Sequence, residues 1–311
     1  MRYLLLLPLL SLIACTSPAP EDKAADTPPP AAERSAVAST LSVYDMASGE
    51  VRTVLELEQH FEAPNWTPDG QAFIFNMEGA LYRIPVDGGD YTLIPTGEVD
   101  WMTNDHGLSS DGSLLAFTAG PDRHLYTMPT DASEPPTTIV AQPHSYWHGW
   151  SPDDATLVYT AQRNSVFDLY AVPVGGGDEI QLTFDEAHDD GPDYSPDGRW
   201  IYFNTDRTGN YDIWRLPAEG GDAEQITSDA HEDWFPHPSP DGAHIVMLSY
   251  EPGTEGHPAN QNVTLRRING DGTGEPEVLV ELFGGQGTIN VPSWAPDSHA
   301  FAFVQYRLLE D

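Results

Sequence analysis

Cysteine and basic residues are scarce in this chain of 311 residues, and several functional signatures are absent. Cys15 is the only cysteine, so no disulfide can form within one chain. There are 13 Lys and Arg residues against 49 Asp and Glu residues, a formal net charge of −36 at pH 7. Such a charge repels phosphate backbones, and we expect no nucleic-acid partner. No Gly-x-Ser-x-Gly, P-loop, dinucleotide-binding or His-Glu-x-x-His pattern occurs.

The N-terminus carries an apolar run that is too short to span a bilayer. Residues 4–14 follow Arg2, are interrupted by Pro8, and end in Leu12-Ile13-Ala14-Cys15. This ending resembles the lipobox of bacterial lipoproteins. The resemblance implies that residues 1–15 are a signal peptide cleaved before Cys15, whose thiol and new amine are acylated. The alternative is an ordinary secretory signal with an incidental cysteine.

The lipobox resemblance also implies a location and a membrane partner. An acylated Cys15 would anchor the protein in the bacterial cell envelope, and its thiol could then serve neither as a nucleophile nor as a zinc ligand. Because Thr16 is not an aspartate, we expect the periplasmic face of the outer membrane. Residues 16–38 are rich in Ala, Pro and charged residues and lack apolar periodicity, so they are predicted to form a disordered tether.

A short phrase of the type Trp-Ser-Pro-Asp-Gly recurs six times in the rest of the chain. It occupies residues 65–70, 107–112, 149–154, 193–198, 237–242 and 293–298. The Pro-Asp-Gly part predicts a tight turn, and alternating apolar residues before and after it predict strands. A period of roughly 40–45 residues with several strands per unit is typical of β-propeller blades.

The sixth unit ends after two strands, and the missing pair is found at the start of the body. Residues 41–46 and 51–55 read as two strands flanking a turn at Ser48-Gly49. Pairing them with the last unit would close the ring and protect the sheet edges. Residues 39–311 are therefore predicted to be an all-β domain, a six-bladed β-propeller of four-stranded antiparallel blades closed by the N-terminal strands.

The same units resemble those of a known family. The repeated turns, the Asn-Thr-Asp-Arg-Thr-Gly-Asn-Tyr-Asp-Ile-Trp segment at 204–214, and Gly220-Gly221 followed by Gln225-Ile226-Thr227 resemble the TolB-like β-propellers with WD-like repeats. The resemblance covers nearly everything from Ser39 onward. It implies the propeller fold, and it leaves the function open because propellers host scaffolds, receptors, lyases and hydrolases.

Propeller topology sorts the candidate residues between the two faces. The connection from the second to the third strand of a blade, and the connection to the next blade, leave from one face, here called the funnel face. The Pro-Asp-Gly turns leave from the opposite face, here called the turn face. The candidate binding residues on the funnel face are His106, His148, His188, Asp190, Asp193, Asp233, Trp234, His237, Glu255, His257, Gln286 and Asn290. We expect their core members to converge (His148, His188, Asp190, Asp193, Asp233, His237 and His257).

Two features of this set bear on its chemistry. Imidazoles and carboxylates from several blades could hold a divalent cation, with His148 and His237 as candidate ligands, or could transfer protons. They could also simply cap strands and bond to neighbouring backbone. The fifth unit is longer than the fourth, and segments 250–261 and 283–290 are the places for the excess, on the same face.

Two functions remain open, and no catalytic residue is assigned. The first is a binding or scaffold module of the envelope that grips a protein segment or a saccharide over the funnel. The second is a carbohydrate-active enzyme, a lyase or hydrolase, with a His/Asp funnel site. For the second, the oligogalacturonate lyases are similar in repeat, and the resemblance implies a funnel metal. Under either function, the aromatic residues beside the acids could stack on sugar rings (Trp101, Tyr146, Trp147 and Trp234).

Overall fold

The structure, a computed structural model, describes residues 37–309, which are folded as β-strands and connections. Cys15, the predicted signal peptide and most of the predicted tether lie outside the described residues. Within the described range, no helix is long and apolar enough to cross a membrane. The strands are β1 (Val37–Asp45), β2 (Val51–Leu57), β3 (Phe61–Trp66), β4 (Ala72–Met77), β5 (Ala80–Pro85), β6 (Thr92–Leu93), β7 (His106–Leu108), β8 (Leu114–Ala119), β9 (His124–Pro129), β10 (Thr137–Val140), β11 (Ser145–Trp150), β12 (Thr156–Arg163), β13 (Val166–Pro173), β14 (Ile180–Gln181), β15 (Asp189–Tyr194), β16 (Trp200–Thr205), β17 (Asp212–Pro217), β18 (Glu224–Gln225), β19 (Glu232–Pro238), β20 (His244–Tyr250), β21 (Gln261–Asn269), β22 (Glu277–Gly284) and β23 (Ala300–Leu308).

These strands form six antiparallel sheets, which confirms the six-bladed propeller. Blades 1 to 5 are four-stranded sheets made of β3–β6, β7–β10, β11–β14, β15–β18 and β19–β22, each in sequence order. Blade 6 contains β23, β1 and β2, with β1 in the middle. The N-terminal strands therefore complete the last blade, as the truncated sixth unit predicts.

The ring is closed by a long stretch of antiparallel strand pairing between the two ends of the described chain. β1 pairs with β23 from Val37 opposite Leu308 to Asp45 opposite Ala300. β1 thus begins two residues before the predicted start of the propeller at residue 39. The inner position of blade 6 is taken by residues 288–294, which accept backbone hydrogen bonds from β23 at Thr288 (3.0 Å) and Ser293 (2.9 Å).

The turn face is stabilised by one repeated side-chain pattern. In five blades the third residue of the phrase is Ser or Thr. Its hydroxyl donates to the aspartate two residues later and accepts the amide hydrogen of the residue five positions later. In blade 5, for example, Ser239 Oγ is 2.6 Å from Asp241 Oδ1 and 3.0 Å from the amide nitrogen of His244. The other four donor pairs are Thr67–Asp69, Ser109–Asp111, Ser151–Asp153 and Ser195–Asp197. Blade 6 has Ala295 in this position and lacks the hydroxyl.

The core lies between neighbouring blades, because each sheet packs its two faces against the sheets on either side. Every residue of β4 is buried, and Ile74 of blade 1 packs in one cluster with Leu115 and Phe117 of blade 2. Blades 3 and 4 share a similar cluster through Val158 and Phe203. This packing holds the six inner strands around the central axis and so positions the side chains of the funnel.

Blade 5 is the longest blade, and its extra length is divided between a connection and its outer strands. The connection between β20 and β21 spans residues 251–260 on the funnel face, while the equivalent connection of blade 4 spans 206–211. The outer strand β22 has 8 residues, while β18 has 2. The longer connection carries His257 toward the centre of the propeller.

Candidate functional site

The inner strand of blade 4 is bent where the candidate site begins. β15 shows a register shift between Asp190 and Asp193, and Gly191 between them has a φ of +61°. A Cβ atom on Gly191 would lie 2.8 Å from Asn204 Oδ1 and 3.0 Å from Phe235 Cδ1. Glycine therefore suits this bulge, and a larger residue would force Asn204 or Phe235 to move; bulges re-aim the side chains beside them.

Asp190 lies at the centre of a group of three histidines, here called the Asp190 cluster (Asp190, His148, His188 and His257). His148 Nε2 on β11 is 3.2 Å from Asp190 Oδ1, and His257 Nε2 on the long connection of blade 5 is 3.7 Å from Asp190 Oδ2. His188, just before β15, acts on Asp190 through its charge. Three blades therefore contribute to one cluster.

The surroundings of Asp190 and His148 favour the ionised form of both side chains. Burial of Asp190 opposes its ionisation, yet the hydrogen bond from His148 and the charges of His148, His188 and His257 hold the pKa of Asp190 well below its usual range. Burial likewise favours the neutral ring of His148, but Asp190, with Asp105 and Asp193 nearby, raises the pKa of His148 above its ordinary value. The result is a buried carboxylate held together with a protonated imidazole.

His257 is held in place by a short chain of amides. His257 Nδ1 is 2.6 Å from Gln286 Oε1, and Asn290 Nδ2 donates to the same oxygen at 2.8 Å. Asn290 Oδ1 accepts the amide hydrogen of Gly287 at 2.6 Å. Because Gln286 Oε1 can only accept, the Nδ1 atom of His257 carries a hydrogen and its Nε2 atom faces Asp190.

A second pair, Asp193 and His237, lies deeper in the same inner strands. His237 Nδ1 is 3.1 Å from Asp193 Oδ2, and Nε2 is 2.8 Å from the carbonyl oxygen of Ile289. A carbonyl oxygen only accepts, so Nε2 carries a hydrogen and the Asp193–His237 contact must hold another proton. Burial raises the pKa of Asp193, which favours retention of that proton within the pair.

Aromatic rings form a continuous wall around the Asp190 cluster. The ring centroids of His148 and Phe235 are 6.2 Å apart, and those of His257 and Trp234 are 4.4 Å apart. His188 lies 4.8 Å from Phe167, and its Nδ1 atom is 2.8 Å from the hydroxyl of Tyr211. Water is thereby kept from much of the cluster, which strengthens the electrostatic interactions inside it.

The structure brings most of the predicted residues together and places three elsewhere. Asp233 is buried, and its carboxylate accepts from Arg266 Nη2 and Ser249 Oγ, each at 2.6 Å, instead of facing the histidines. His106 is fully buried on β7, and burial lowers its pKa to about 4, so its ring is neutral at pH 7. Glu255 is exposed on the long connection of blade 5.

The aromatic residues considered for sugar stacking are divided by burial. Trp147 is 1% exposed and Trp234 is 0% exposed, so neither indole can stack on a ligand from solvent. Trp101 is 68% exposed in the connection between β6 and β7, and Phe184, which the sequence did not single out, is 76% exposed before β15. Both exposed rings belong to the funnel face.

The arrangement gives no support to a metal at His148 and His237. Within residues 37–309, no group of three or more His, Cys, Asp or Glu side chains is arranged to hold a metal ion. Both ring nitrogens of His237 already face protein oxygens. A divalent cation there would have to displace Asp193 or Ile289, and no step proposed below uses one.

Sequence reasoning missed several contributors to the site region. Tyr211, Phe167 and Phe235 contribute to the wall, and the sequence pattern assigns none of them to the site. Arg266 is buried and binds Asp229 and Asp233, each at 2.6 Å. A register shift between Leu265 and Arg266 turns both side chains inward, and simple alternation along β21 could not have shown this.

Next to His188 the funnel face has an open depression of about 420 Å³. Its lining is polar and consists of Asp185, Glu186, Ala187, Asp206 and Arg207. Asp206 Oδ1 accepts the amide hydrogen of His188 at 2.8 Å, so the depression adjoins the Asp190 cluster. Arg207 donates to the buried Asp189 at 3.0 Å.

Comparison with known proteins gives consistent results for the fold. A family model described as the TolB β-propeller domain matches residues 109–305. An uncharacterized protein of Agrobacterium fabrum is 42% identical over 276 residues, which are 88% of this chain and 94% of that protein. The solved structure of a TolB candidate from Agrobacterium tumefaciens is also 42% identical, with a TM-score of 0.85, and the match covers 88% of this chain and 99% of that one.

More distant solved structures share the fold alone. TolB from Acinetobacter baumannii is 19% identical with a TM-score of 0.60, and the match covers 78% of this chain and 65% of that one. An oligogalacturonate lyase in complex with manganese is 16% identical with a TM-score of 0.52, and the match covers 78% of this chain and 73% of that one. From its repeats, its six blades and the matches over most of its length, the chain belongs to the TolB β-propeller family.

Proposed function

We propose that this protein is a binding module of the bacterial envelope that receives a segment of an envelope protein, or a saccharide, on its funnel face. In this proposal Cys15 is acylated and holds the protein at the periplasmic face of the outer membrane. The propeller then serves as a rigid receptor on a tether. No chemistry on the ligand is required for this role.

The observation that carries the proposal is the partial exposure of the Asp190 cluster. Asp190 and His148 are buried, whereas His188 and His257 retain partial exposure. A pre-organised charged group at a solvent opening, backed by a rigid scaffold, is the usual design of a recognition site. The adjoining depression next to His188 offers space for a ligand group.

A second candidate function, a carbohydrate-active lyase or hydrolase, is supported by one specific contact. A carboxylate that faces an imidazole can orient it as a general base, and Asp190 stands in this relation to the partly exposed His257. The contact of 3.7 Å is longer than a hydrogen bond and would have to tighten on substrate binding. We rank this function second because the histidine already donates to Gln286.

The test compares ligand binding by the full chain with binding by the His188→Ala/His257→Ala variant. A panel of synthetic peptides and of neutral and acidic oligosaccharides is titrated by calorimetry, and every mixture is also assayed for cleavage products. We expect at least one class to bind, and the double substitution to weaken that binding about tenfold or more. Cleavage by the parent protein alone would replace the binding proposal with the enzymatic one.

The matched control is Asp197→Asn on the turn face, which should bind as the parent does. Equal affinities of the parent and the His188→Ala/His257→Ala variant for every ligand would refute the proposed site. Elemental analysis of the parent and of His148→Ala/His237→Ala, purified without chelators, tests the metal prediction separately. A near-stoichiometric metal lost in that variant would establish His148 and His237 as ligands.

A further inference from the structure

The exposed side chains of the funnel face are predominantly acidic, and the exposed arginine among them is Arg307, which is 60% exposed. Residues 37–309 contain no lysine. The arginines in or beside the described connections of this face each face a protein oxygen: Arg123 with Gly120, Arg163 with Glu179, Arg207 with Asp189 and Arg307 with Glu56. The exposed acidic residues of these connections are Glu58, Glu78, Glu98, Asp100, Asp122, Asp185, Glu186, Glu251 and Glu255. The face therefore attracts cations and repels polyanions.

Trp101 is the largest of the non-glycine side chains with a positive φ in the connections of this face, which also include Glu78, Arg123 and His144. Its φ is +59°, in the left-handed region that bulky residues avoid, and its side chain is 68% exposed. Such strain persists only where the surroundings hold the backbone, and it concentrates at functional positions. Burial of the indole cannot compensate for the strain, because most of the ring is in solvent.

The backbone on both sides of Trp101 is tied down. The amide of Gly120 donates to the carbonyl oxygens of Asp100 (3.1 Å) and Trp101 (3.2 Å). The amide of Met102 donates to the carbonyl oxygen of Gly79 at 3.0 Å. The exposed indole is thus presented by a rigid support, with little conformational entropy left to lose when a ligand binds.

We infer that the ligand of the funnel face is a basic polypeptide segment, and that Trp101 with Glu98 and Asp100 binds one of its Lys or Arg side chains. The inference rests on the proposed binding function and narrows its ligand. An indole face attracts an ammonium or guanidinium group, and a flanking carboxylate adds a charge-assisted hydrogen bond. The exposed Phe184 beside Asp185 and Glu186 repeats this combination next to the depression at His188.

The rim of the funnel is here the group Glu98, Asp100 and Trp101, and the throat is the Asp190 cluster. The throat supplies an independent sign of a ligand group. His148 is 3% exposed, and its Nδ1 atom has no hydrogen-bond partner among the described residues. Its ring lies between Asp190 of blade 4 and Phe235 of blade 5. Because the protonated ring carries a hydrogen on Nδ1, this buried atom needs a hydrogen-bond acceptor, either a water molecule or a ligand group such as a backbone carbonyl oxygen that reaches the throat. The segment would thus run from the rim at Trp101 toward the cluster.

The experiment measures the affinity of the full chain for three synthetic peptides of equal length, rich in arginine and glycine, in glutamate and glycine, or in serine and glycine. We expect only the first to bind, and its affinity to fall about tenfold or more between about 0.05 M and 0.5 M salt. Trp101→Ala should weaken binding about fivefold or more. Glu98→Gln/Asp100→Asn should weaken it by about threefold or more.

Two control variants distinguish specific binding at the rim from the effect of net charge and from nonspecific apolar binding. Asp87→Asn/Asp90→Asn removes two exposed carboxylates from the turn face of the same blade, and Ile180→Ala shortens an apolar side chain that is 58% exposed on β14. Both should bind the arginine peptide as the parent does. An equal loss in the Asp87/Asp90 variant would reduce the effect to net charge and overturn the inference.

Failure of this inference differs from failure of the proposed function. If the arginine peptide binds and Asp190→Asn weakens it while Trp101→Ala does not, the rim site is refuted and the binding function stands. If Trp101→Ala weakens binding and Asp190→Asn does not, the rim site stands and the Asp190 cluster is not part of the receptor. Binding of the glutamate peptide, or of none of the three, refutes a basic ligand.

Discussion

The two faces of the propeller are built by different kinds of interaction. On the turn face, a hydroxyl and an aspartate two residues apart repeat the same contact in five blades. Hydrogen bonds within the turn lower the pKa of each of these aspartates (Asp69, Asp111, Asp153, Asp197 and Asp241); that hydroxyl is the main cause except at Asp111, where Ser113 contributes most. On the funnel face, the histidines of the Asp190 cluster come from a different position in each of three blades: from β11, from the residue before β15, and from the connection between β20 and β21. The contacts of this cluster join residues far apart in the chain, such as His148 and Asp190.

The difference shows which contacts of a repeat protein recur from unit to unit and which are made by single units. Local turns can be copied from unit to unit because each is satisfied within about six residues. The funnel requires side chains from several blades to converge on one carboxylate, so each blade contributes from a different position in its unit. The funnel interactions are also buried, and single changes there should cost more than equivalent changes in the turns.

The largest contrast is expected from replacing one aspartate on each face. Asp190→Asn leaves the protonated His148 buried beside a neutral amide and should lower the free energy of unfolding by about 3 kcal/mol. Asp197→Asn, in a half-exposed turn, should lower it by about 1 kcal/mol. Urea denaturation of both variants measures the difference. Equal effects would show that the Asp190–His148 pair is not the ion pair described here.

The two faces also differ in how they use glycine with positive φ. Gly191→Ala places a Cβ 2.8 Å from Asn204 Oδ1, and we expect a loss of about 3 kcal/mol because the bulge must rearrange. A Cβ atom at Gly198 on the turn face would meet nothing closer than 3.7 Å. For Gly198→Ala we therefore expect a loss of only about 1 kcal/mol, from the left-handed backbone conformation. Thermal unfolding followed by circular dichroism tests this order, and the reverse order would contradict it.

A pH dependence distinguishes buried carboxyls from turn carboxyls. Burial raises the pKa of Asp168 and Asp212 to about 6, above the unfolded value, so their contribution to stability is full below the unfolded pKa and declines as the pH rises through about 6. The turn aspartates have lowered pKa values, and their contribution is lost as the pH falls below about 4.

Asp168 and Asp212 should therefore contribute more stability at about pH 5 than at about pH 7.5, whereas the lowered pKa of the buried His106 acts in the opposite direction over the same range. In Asp168→Asn/Asp212→Asn, the decline between these two pH values should be smaller than in the parent. The measurement is a series of urea denaturation curves across this pH range. An identical pH dependence of stability in the parent and the Asp168→Asn/Asp212→Asn variant would contradict the raised pKa values.

The smallest expected effect concerns the one turn that lacks its hydroxyl. Ala295→Ser supplies blade 6 with a donor to Asp297 and should raise the free energy of unfolding by about 0.5 kcal/mol. Ser239→Ala removes the same contact from blade 5 and should lower it by about 1 kcal/mol. Both are read from urea midpoints. A loss in Ala295→Ser would show that the sixth turn is packed differently.

The fold was largely predictable, and the site only partly. The six phrases and the truncated last unit predict the blades, the turn face and the closure by β1 and β2, because each rests on local turn chemistry and strand alternation. Placement of the histidines on one face follows from the same topology. The pairing of His148 and His257 with Asp190, and the departure of Asp233 toward Arg266, depend on bulges in β15 and β21 that a period of two does not reveal.

The sequence by itself determined the number of blades, the chain segment that closes them and the acidic character of the surface. These features follow from repeated short motifs and from composition, which need no knowledge of distant contacts. Tertiary structure alone decided which carboxylate is paired with which histidine, that Trp234 is buried, and that Trp101 is exposed on a strained backbone. Those outcomes are set by how neighbouring blades pack at the axis, because burial and charge pairing there depend on side chains from several blades at once.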